Sequence, residues 1–255
     1  MWQKNKKKIT CLTAYTYPMA KILDGICDVI LVGDSLGMCV YGFPDTVDVT
    51  LEMMINHGKA VMRGVEKSLV IIDMPCGSYE ESPKQALTSA RRIIDETGCY
   101  AIKMETDKNL ADTVELLVKN NIKVMGHVGL MPQHVRKIGG YKYQGLDEKS
   151  SQEILETSQA IANAGAFALV IEAVPEKLAD RITNNINIPT IGIGASINCD
   201  GQVLVIDDLI GLNTDFKPKF VKRYTEVSNS IKTAAQQFCL EVETKKFPAV
   251  ENIKK

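Results

Sequence analysis

Five apolar runs in this chain stop on ionisable residues, and the residue types suit one kind of chemistry. DVILVG is followed by Asp34 and Ser35, SLVII by Asp73, YAI by Lys103 and then Glu105, IKVMG by His127, and FALVI by Glu172. A single carboxylate after a strand is more often a helix cap or a solvated loop residue than a ligand. Five such stops in succession are difficult to assign to capping. Two aspartates, two glutamates, a lysine and a histidine, without a cysteine or histidine cluster, favour a hard cation held by oxygen, Mg2+ before Zn2+. Mg2+ takes one or two carboxylates and keeps several waters, and Asp34 and Asp73 can supply them. Glu172 then serves as a general base on a substrate held at that metal, while Lys103 offsets an anionic substrate. This set suits proton abstraction beside a carbonyl, with the cation stabilising the enolate.

A competing reading lies in the same letters. Gly33-Asp34-Ser35-Leu36-Gly37 spells both G-x-S-x-G and G-D-S-L, which would make Ser35 a nucleophile. A serine nucleophile needs a histidine base, and the chain offers only His57, His127 and His134. The order Ser, acid, His of α/β-hydrolases is not met. The residues three before the histidines are Met54, Val124 and Met131, so a D-x-x-H motif is absent. A GDSL-type serine hydrolase is therefore a remote alternative. Asp34 becomes the working residue, with Ser35 offering a hydroxyl or backbone N–H to the substrate.

Such side chains meet only if the fold gathers strand ends. Runs rich in β-branched residues recur at 9–14, 28–33, 68–73, 100–105, 122–127, 167–172, 188–193 and 203–207. Several are almost continuously apolar, as parallel strands covered on both faces are. Helical patterns lie between them. Ser82-Pro83-x-Gln85 predicts a capped start, with Ala86, Ala90, Ile93 and Ile94 inward and Gly98 as the stop. Ser150-x-x-Glu153 predicts another start, with Ile154 and Ile161 inward and Gly165 at the end. A last helix over about 225–243 carries Val227, Ile231, Ala235, Phe238 and Val242 on one face. Strands alternating with helices predict an α/β fold, a (β/α)8 TIM barrel in a single domain over 1–255 that includes a C-terminal helix. An open doubly wound sheet is the runner-up. In a barrel all five polar stops fall on the C-terminal rim, where active sites are built.

Bulk properties narrow the class. At 255 residues and 45% hydrophobic content the chain can bury a sizeable core. A net charge of −1 gives no basis for nucleic acid or an anionic membrane as partner. No apolar run approaches the roughly 20 residues of a bilayer span. The start, MWQKNKKKIT, is basic without an apolar segment and reads as a solvated tail, not a signal peptide. Seven scattered cysteines without C-x-x-C point to a reduced, cytoplasmic protein without a zinc site or disulfide framework. Other polar features take structural readings: His57 packed or interfacial, His134 in a loop or helix start, Asp207 and Asp208 capping the turn after the eighth strand. Gly192 and Gly194 suit close backbone packing, and Gly139-Gly140-Tyr141 a flexible loop that could close over substrate. The Met-rich stretch 53–62 reads as core or subunit contact.

Ten segments in order then carry a resemblance over residues 10–224: LVGDSLGM, LEMMINHGKAVMRG, DMPCGSY, KMET, MGHVGLMPQ, IGGYKYQG, VIEAVPEKLADRIT, IPTIGIGA, CDGQVLVIDDLIGL and PKFVKRY. Together they resemble the ketopantoate hydroxymethyltransferase family. The resemblance implies a barrel of the phosphoenolpyruvate mutase/isocitrate lyase type, usually a homodecamer, using Mg2+, 5,10-methylenetetrahydrofolate and 3-methyl-2-oxobutanoate. It implies Asp34 and Asp73 as metal ligands that also contact substrate, with Glu105 as the third acidic residue at the metal. Ser35 and Lys103 match substrate contacts, Glu172 the proton acceptor, and His127 lines the pocket without an assigned role. Departures from the family pattern occur at Thr16, Cys76, Thr106, Asp107, Leu146 and Ser196, near the expected pocket mouth. A C–C or P–C lyase or mutase of the same barrel type is the alternative, although the catalytic K-x-x-C-G-H of such lyases is absent.

Overall fold

The computed structural model describes residue 4, residues 7–214 and residues 218–253. Half of the basic leading segment, expected to be a solvated tail, falls outside these residues; within it Lys7 and Lys8 are exposed. Eight parallel strands close in sequence order: β1 (Ile9–Thr13), β2 (Val29–Val32), β3 (Leu69–Asp73), β4 (Ala101–Glu105), β5 (Val124–Gly129), β6 (Ala168–Glu172), β7 (Thr190–Ile193) and β8 (Gly201–Leu204). β8 pairs back onto β1, which excludes the open doubly wound sheet and leaves the (β/α)8 barrel. Between strands run α1 (Tyr17–Leu23), α2 (Leu36–Cys39), α3 (Leu51–Met62), α4 (Pro83–Thr97), α5 (Ala111–Lys119), α6 (Val135–Ile138), α7 (Glu148–Asn163) and α8 (Glu176–Asn185). The chain divides into two compact units. Met1–Val205 holds the whole barrel, and Ile206–Lys255 holds α9 (Ile206–Leu209) and α10 (Val227–Glu243).

Local chemistry explains most boundaries. At α4, Ser82 accepts the Gln85 N–H at 3.2 Å, Pro83 takes the first position, and Gly98 ends the helix at φ 73°. Two expectations need correction. α7 is capped by Asp147, which accepts the Ser150 N–H at 3.0 Å, so Ser150 lies inside the first turn. β8 stops at Leu204, and Asp207 and Asp208 sit in the first turn of α9, where carboxylates suit the unpaired N–H groups. The last helix forms as expected as α10, and its apolar stripe is open, with Ile231, Phe238 and Val242 each about half exposed.

Strand pleating sets up the site. Alternate residues of each barrel strand point inward. The lower interior is a dry plug that includes Val29, Leu31, Ile71, Ala101, Met125, Ala168 and Val170. One pleat further along the same lines the chemistry changes. Ile71 gives way to Asp73, Ala101 to Lys103 and then Glu105, Met125 to His127, and Val170 to Glu172. Register keeps neighbours abreast, with Asp73 opposite Lys103 and Glu105 opposite His127. On the outer face, Thr10 of β1 and Gln202 of β8 are exposed, whereas Ile72, Ile102, Val124 and Leu169 are fully buried. That accounts for strands that read as continuous apolar runs.

Gly126 shows how tightly the helical layer lies on β5. A Cβ there would stand 2.7 Å from Ile161 Cγ2 on α7 and 2.9 Å from Leu169 Cδ1 on β6. Gly126→Ala should cost about 1–3 kcal/mol through overpacking, read as a lower urea midpoint with an unchanged slope. A midpoint equal to that of the wild type would contradict this packing.

Candidate active site

All seven residues singled out from the sequence lie at the C-terminal ends of β2 to β6 or in the turn directly after β2. Asp34, Asp73, Lys103, Glu105 and His127 are between 2% and 7% exposed. Lys103 Nζ donates to Asp73 Oδ1 at 2.7 Å, and Asp73 Oδ2 accepts the Asp34 backbone N–H at 3.1 Å. Asp34 Oδ2 in turn accepts from Gln133 Nε2 at 2.8 Å. The Gln133 backbone N–H reaches Glu105 Oε1 at 3.0 Å. Four strand ends are thereby joined in one polar network.

The charges in it do not balance. Three buried carboxyl groups, Asp34, Asp73 and Glu105, share one ammonium. Burial, then the charge of Asp73, pushes the Asp34 carboxyl up to about 7, against the opposing pull of Lys103 and Gln133. Burial and then Asp34 raise Glu105 well above the usual carboxylate range. Burial alone would lower Lys103, but the charges of Asp73 and Asp34 outweigh it and hold the ammonium above its ordinary value. Lys103 is thus fixed as a cation, whereas Asp34 and Glu105 lack positive charge.

Glu172 stands slightly apart with its side chain 15% exposed, and its Oε2 lies 3.1 Å from His127 Nε2. That approach lacks the alignment of a good hydrogen bond, so neither ring nitrogen is bonded to protein. Burial lowers the His127 pKa, with the Glu172 carboxylate pulling the other way.

Ser35 has no histidine partner. Its Oγ meets the Tyr15 hydroxyl at 2.8 Å, which removes the basis for a nucleophile. Gly33 makes the room: a Cβ there would lie 2.8 Å from Ser35 Oγ. His57 Nδ1 lies 2.6 Å from the Tyr15 carbonyl and Nε2 lies 3.0 Å from the Tyr41 hydroxyl. Since a carbonyl only accepts, Nδ1 carries a hydrogen, and His57 packs behind the site.

Several departures from the family pattern have local structural partners. Thr106 Oγ1 donates to the His127 carbonyl at 2.9 Å, and Asp107 caps the following turn by accepting the Asn109 N–H at 2.8 Å. Ser196 Oγ donates to Asp180 at 2.5 Å, while Leu146 is 73% exposed. At the pocket mouth, Arg136 holds Asp45 with two hydrogen bonds of 2.8 and 3.0 Å, just before Gly139 and Gly140 turn the chain at φ 73° and 117°. Gly192 would crowd Cys199 and Gln202 at 3.1 Å if it bore a Cβ, which fits close packing. Sequence reasoning missed Gln133, Tyr15 and Tyr79, whose contacts lie in loops and follow no periodicity.

Among the described residues no three His, Cys, Asp or Glu side chains converge closely enough to enclose a metal ion by themselves. Mg2+ does not require such a cage, because water and substrate oxygens complete its shell. The donor chemistry present does fit it: oxygen ligands, an excess of buried negative charge, and Glu105 Oε2 without any hydrogen-bond partner.

Residues 1–250 match the ketopantoate hydroxymethyltransferase family. A 3-methyl-2-oxobutanoate hydroxymethyltransferase of Cereibacter sphaeroides is 53% identical over 251 residues, covering 98% of this chain and 90% of that protein. One of the same name from Chelativorans is 53% identical over 250 residues, covering 98% and 89%. Among solved structures, phosphonopyruvate hydrolase superposes with a TM-score of 0.62 at 11% identity, covering 98% of this chain and 87% of that one. The phosphoenolpyruvate phosphomutase of Streptomyces platensis gives 0.62 at 14%, covering 98% and 88%. At such identities these two share the fold only.

The charge imbalance gives a pH-dependent prediction. A carboxyl whose folded pKa is raised destabilises the fold when ionised, so the cost of Asp34 is absent below its ordinary 3.8, grows as pH rises to about 7, and is constant above that. Asp34→Asn keeps an acceptor for Gln133 and removes the charge. In metal-free protein it should gain about 2 kcal/mol at pH 8, with the gain shrinking toward pH 4.5. Thermal melts at both pH values check this, and a variant that melts lower at pH 8 would contradict the imbalance.

Proposed function

The chain belongs to the ketopantoate hydroxymethyltransferase family, and from that premise we propose how the rim residues divide the work. Its reaction places a hydroxymethyl group on 3-methyl-2-oxobutanoate to give ketopantoate, a step toward pantothenate. The donor in this reading is 5,10-methylenetetrahydrofolate. Asp34 and Asp73 would hold Mg2+, with Glu105 beside them. When bound, Mg2+ supplies positive charge that stabilises negative charge developing on the 2-oxo acid oxygens.

Glu172 is the base. Its carboxylate takes the C3 proton, and the C–H electron pair becomes the C2–C3 double bond of the enolate. C3 then bonds to the folate methylene carbon, which also bonds to a water oxygen as it leaves both folate nitrogens. Those nitrogens end with two protons, one passed on from C3 through Glu172 and one from water. His127, whose pKa burial lowers, packs beside the base with Nε2 3.1 Å from Glu172 Oε2. Lys103 offsets the charge of the substrate carboxylate, and the Ser35 hydroxyl, turned by Tyr15, contacts the substrate. The dry plug below the rim restricts water to the open side, which strengthens each of these electrostatic contacts.

The observation that carries the reading is the gathering of Asp34, Asp73, Lys103 and Glu105 into one buried network on the rim that bears Glu172. The proposed setting is cytoplasmic, which seven free cysteines support. No helix among the described residues is long and apolar enough to cross a membrane. A homo-oligomer, as a decamer, completes the proposal, and the exposed apolar stripe of α10 supports self-association.

Formation of ketopantoate from 3-methyl-2-oxobutanoate and methylenetetrahydrofolate tests this directly. EDTA should abolish product formation and added Mg2+ restore it. Turnover indifferent to the chelator would remove the metal from the mechanism, and the absence of product under all conditions would revive a lyase.

A further inference from the structure

Gln133 lies in the turn after β5, beside Pro132, and is 4% exposed. Every polar group of its side chain is engaged. Oε1 accepts from the Tyr79 hydroxyl at 2.6 Å, and Nε2 donates to Asp34 Oδ2 at 2.8 Å and to the Met74 carbonyl at 2.9 Å. The backbone N–H of the same residue donates to Glu105 Oε1. One residue therefore touches both acids whose environment lacks positive charge, and it touches them only as a donor.

The amide can sit in two orientations related by half a turn, and these contacts select one. The Met74 carbonyl has no proton to donate, so the amide nitrogen must face it and Asp34 together. Tyr79, 1% exposed, faces the other end with a hydroxyl that donates. Burial, then the charge of Glu105, raises the Tyr79 phenol well above its usual range, so the hydroxyl keeps its proton. Tyr79 adds a third constraint against a flip that would set the amide oxygen against the Asp34 carboxylate and the Met74 carbonyl.

We propose that Gln133, locked by Tyr79, is a positioning residue that fixes the Asp34 and Glu105 carboxyl groups. It occupies one oxygen of each and presents the other to the cation. This rests on the metal reading given above. A side chain that merely filled space would need no polar contact with either acid. The tie also spans separate segments, since Asp34 follows β2, Met74 follows β3, Tyr79 lies between β3 and α4, and Glu105 ends β4. Residues that orient metal ligands in this way typically change metal affinity or activity about 10–100-fold when removed.

The test uses Gln133→Met, which keeps length and loses all donors, and Tyr79→Phe, which loses only the lock. Mg2+ binding in the presence of 3-methyl-2-oxobutanoate is measured by calorimetry, alongside kcat, KM and the thermal midpoint. Gln133→Met should weaken Mg2+ binding and lower kcat by about 10–100-fold. Tyr79→Phe should do so by about fivefold, the worth of one neutral hydrogen bond, with a near-native midpoint. Wild-type affinity and kcat in both variants overturn the proposal. A lower midpoint as the sole change overturns it as well, since that is the signature of packing. If Gln133→Met fails to fold, Tyr79→Phe decides. A wild-type protein that binds no Mg2+ overturns the metal reading instead, and the positioning role is then judged on kcat in Tyr79→Phe.

Discussion

Three carboxyl groups buried around a single lysine ammonium are the constraint on which this structure turns. Charge taken out of water is costly unless it is paired and hydrogen-bonded. Asp73 meets that condition, with Lys103 on one oxygen and the Asp34 N–H on the other. Asp34 and Glu105 meet it only in part, and burial with mutual repulsion shifts both toward the protonated form. A site whose buried carboxyl groups outnumber its ammonium groups three to one has the electrostatics that the proposed cation would relieve. The same imbalance explains why so many neutral donors, from Gln133 and the backbone, are aimed at carboxylate oxygens.

The barrel makes this crowding possible. Its strands run apolar through the interior and change to polar one pleat before they end, so the cost of burying charge falls on a single layer above a dry plug. Glycine allows the closest approaches. Gly129, at φ 94°, leaves no room for a Cβ against the Glu172 carbonyl, and that close passage lets Leu130 N–H bond the same carbonyl at 2.8 Å. Behind Ser35, the sequence Tyr15, His57 and Tyr41 forms a rigid backing of side chains. The serine hydroxyl is thus placed by neighbours that take no part in the chemistry.

Much of this was legible in the residues. Near-continuous apolar runs that stop on Asp73, Lys103, Glu105, His127 and Glu172 mark both the strands and the rim, because both faces of a barrel strand are covered and pleating sends alternate residues to one interior line. The G-x-S-x-G spelling misleads, since it records letters and not whether a histidine can reach Ser35. Gln133 was invisible for a different reason. Its contacts join loops separated by up to 99 residues, and no local pattern encodes such a meeting. The cap of α7 was missed because Asp147 and Ser150 are both good caps and only backbone geometry distinguishes them. The stripe on α10 has helical spacing yet stays exposed, since periodicity shows that a face is apolar and not what covers it.

The central claim is that the rim generates a carbanion equivalent at C3 of the 2-oxo acid, with Glu172 as the group that removes the proton. Proton exchange reads this step without the transfer that follows it. In D2O with Mg2+ and no folate, wild-type protein should replace the C3 hydrogen of 3-methyl-2-oxobutanoate with deuterium, followed by loss of its NMR signal. Glu172→Gln, folded and Mg2+-loaded, should leave that signal intact over the same period. Exchange at the wild-type rate in Glu172→Gln would contradict the assignment of the base.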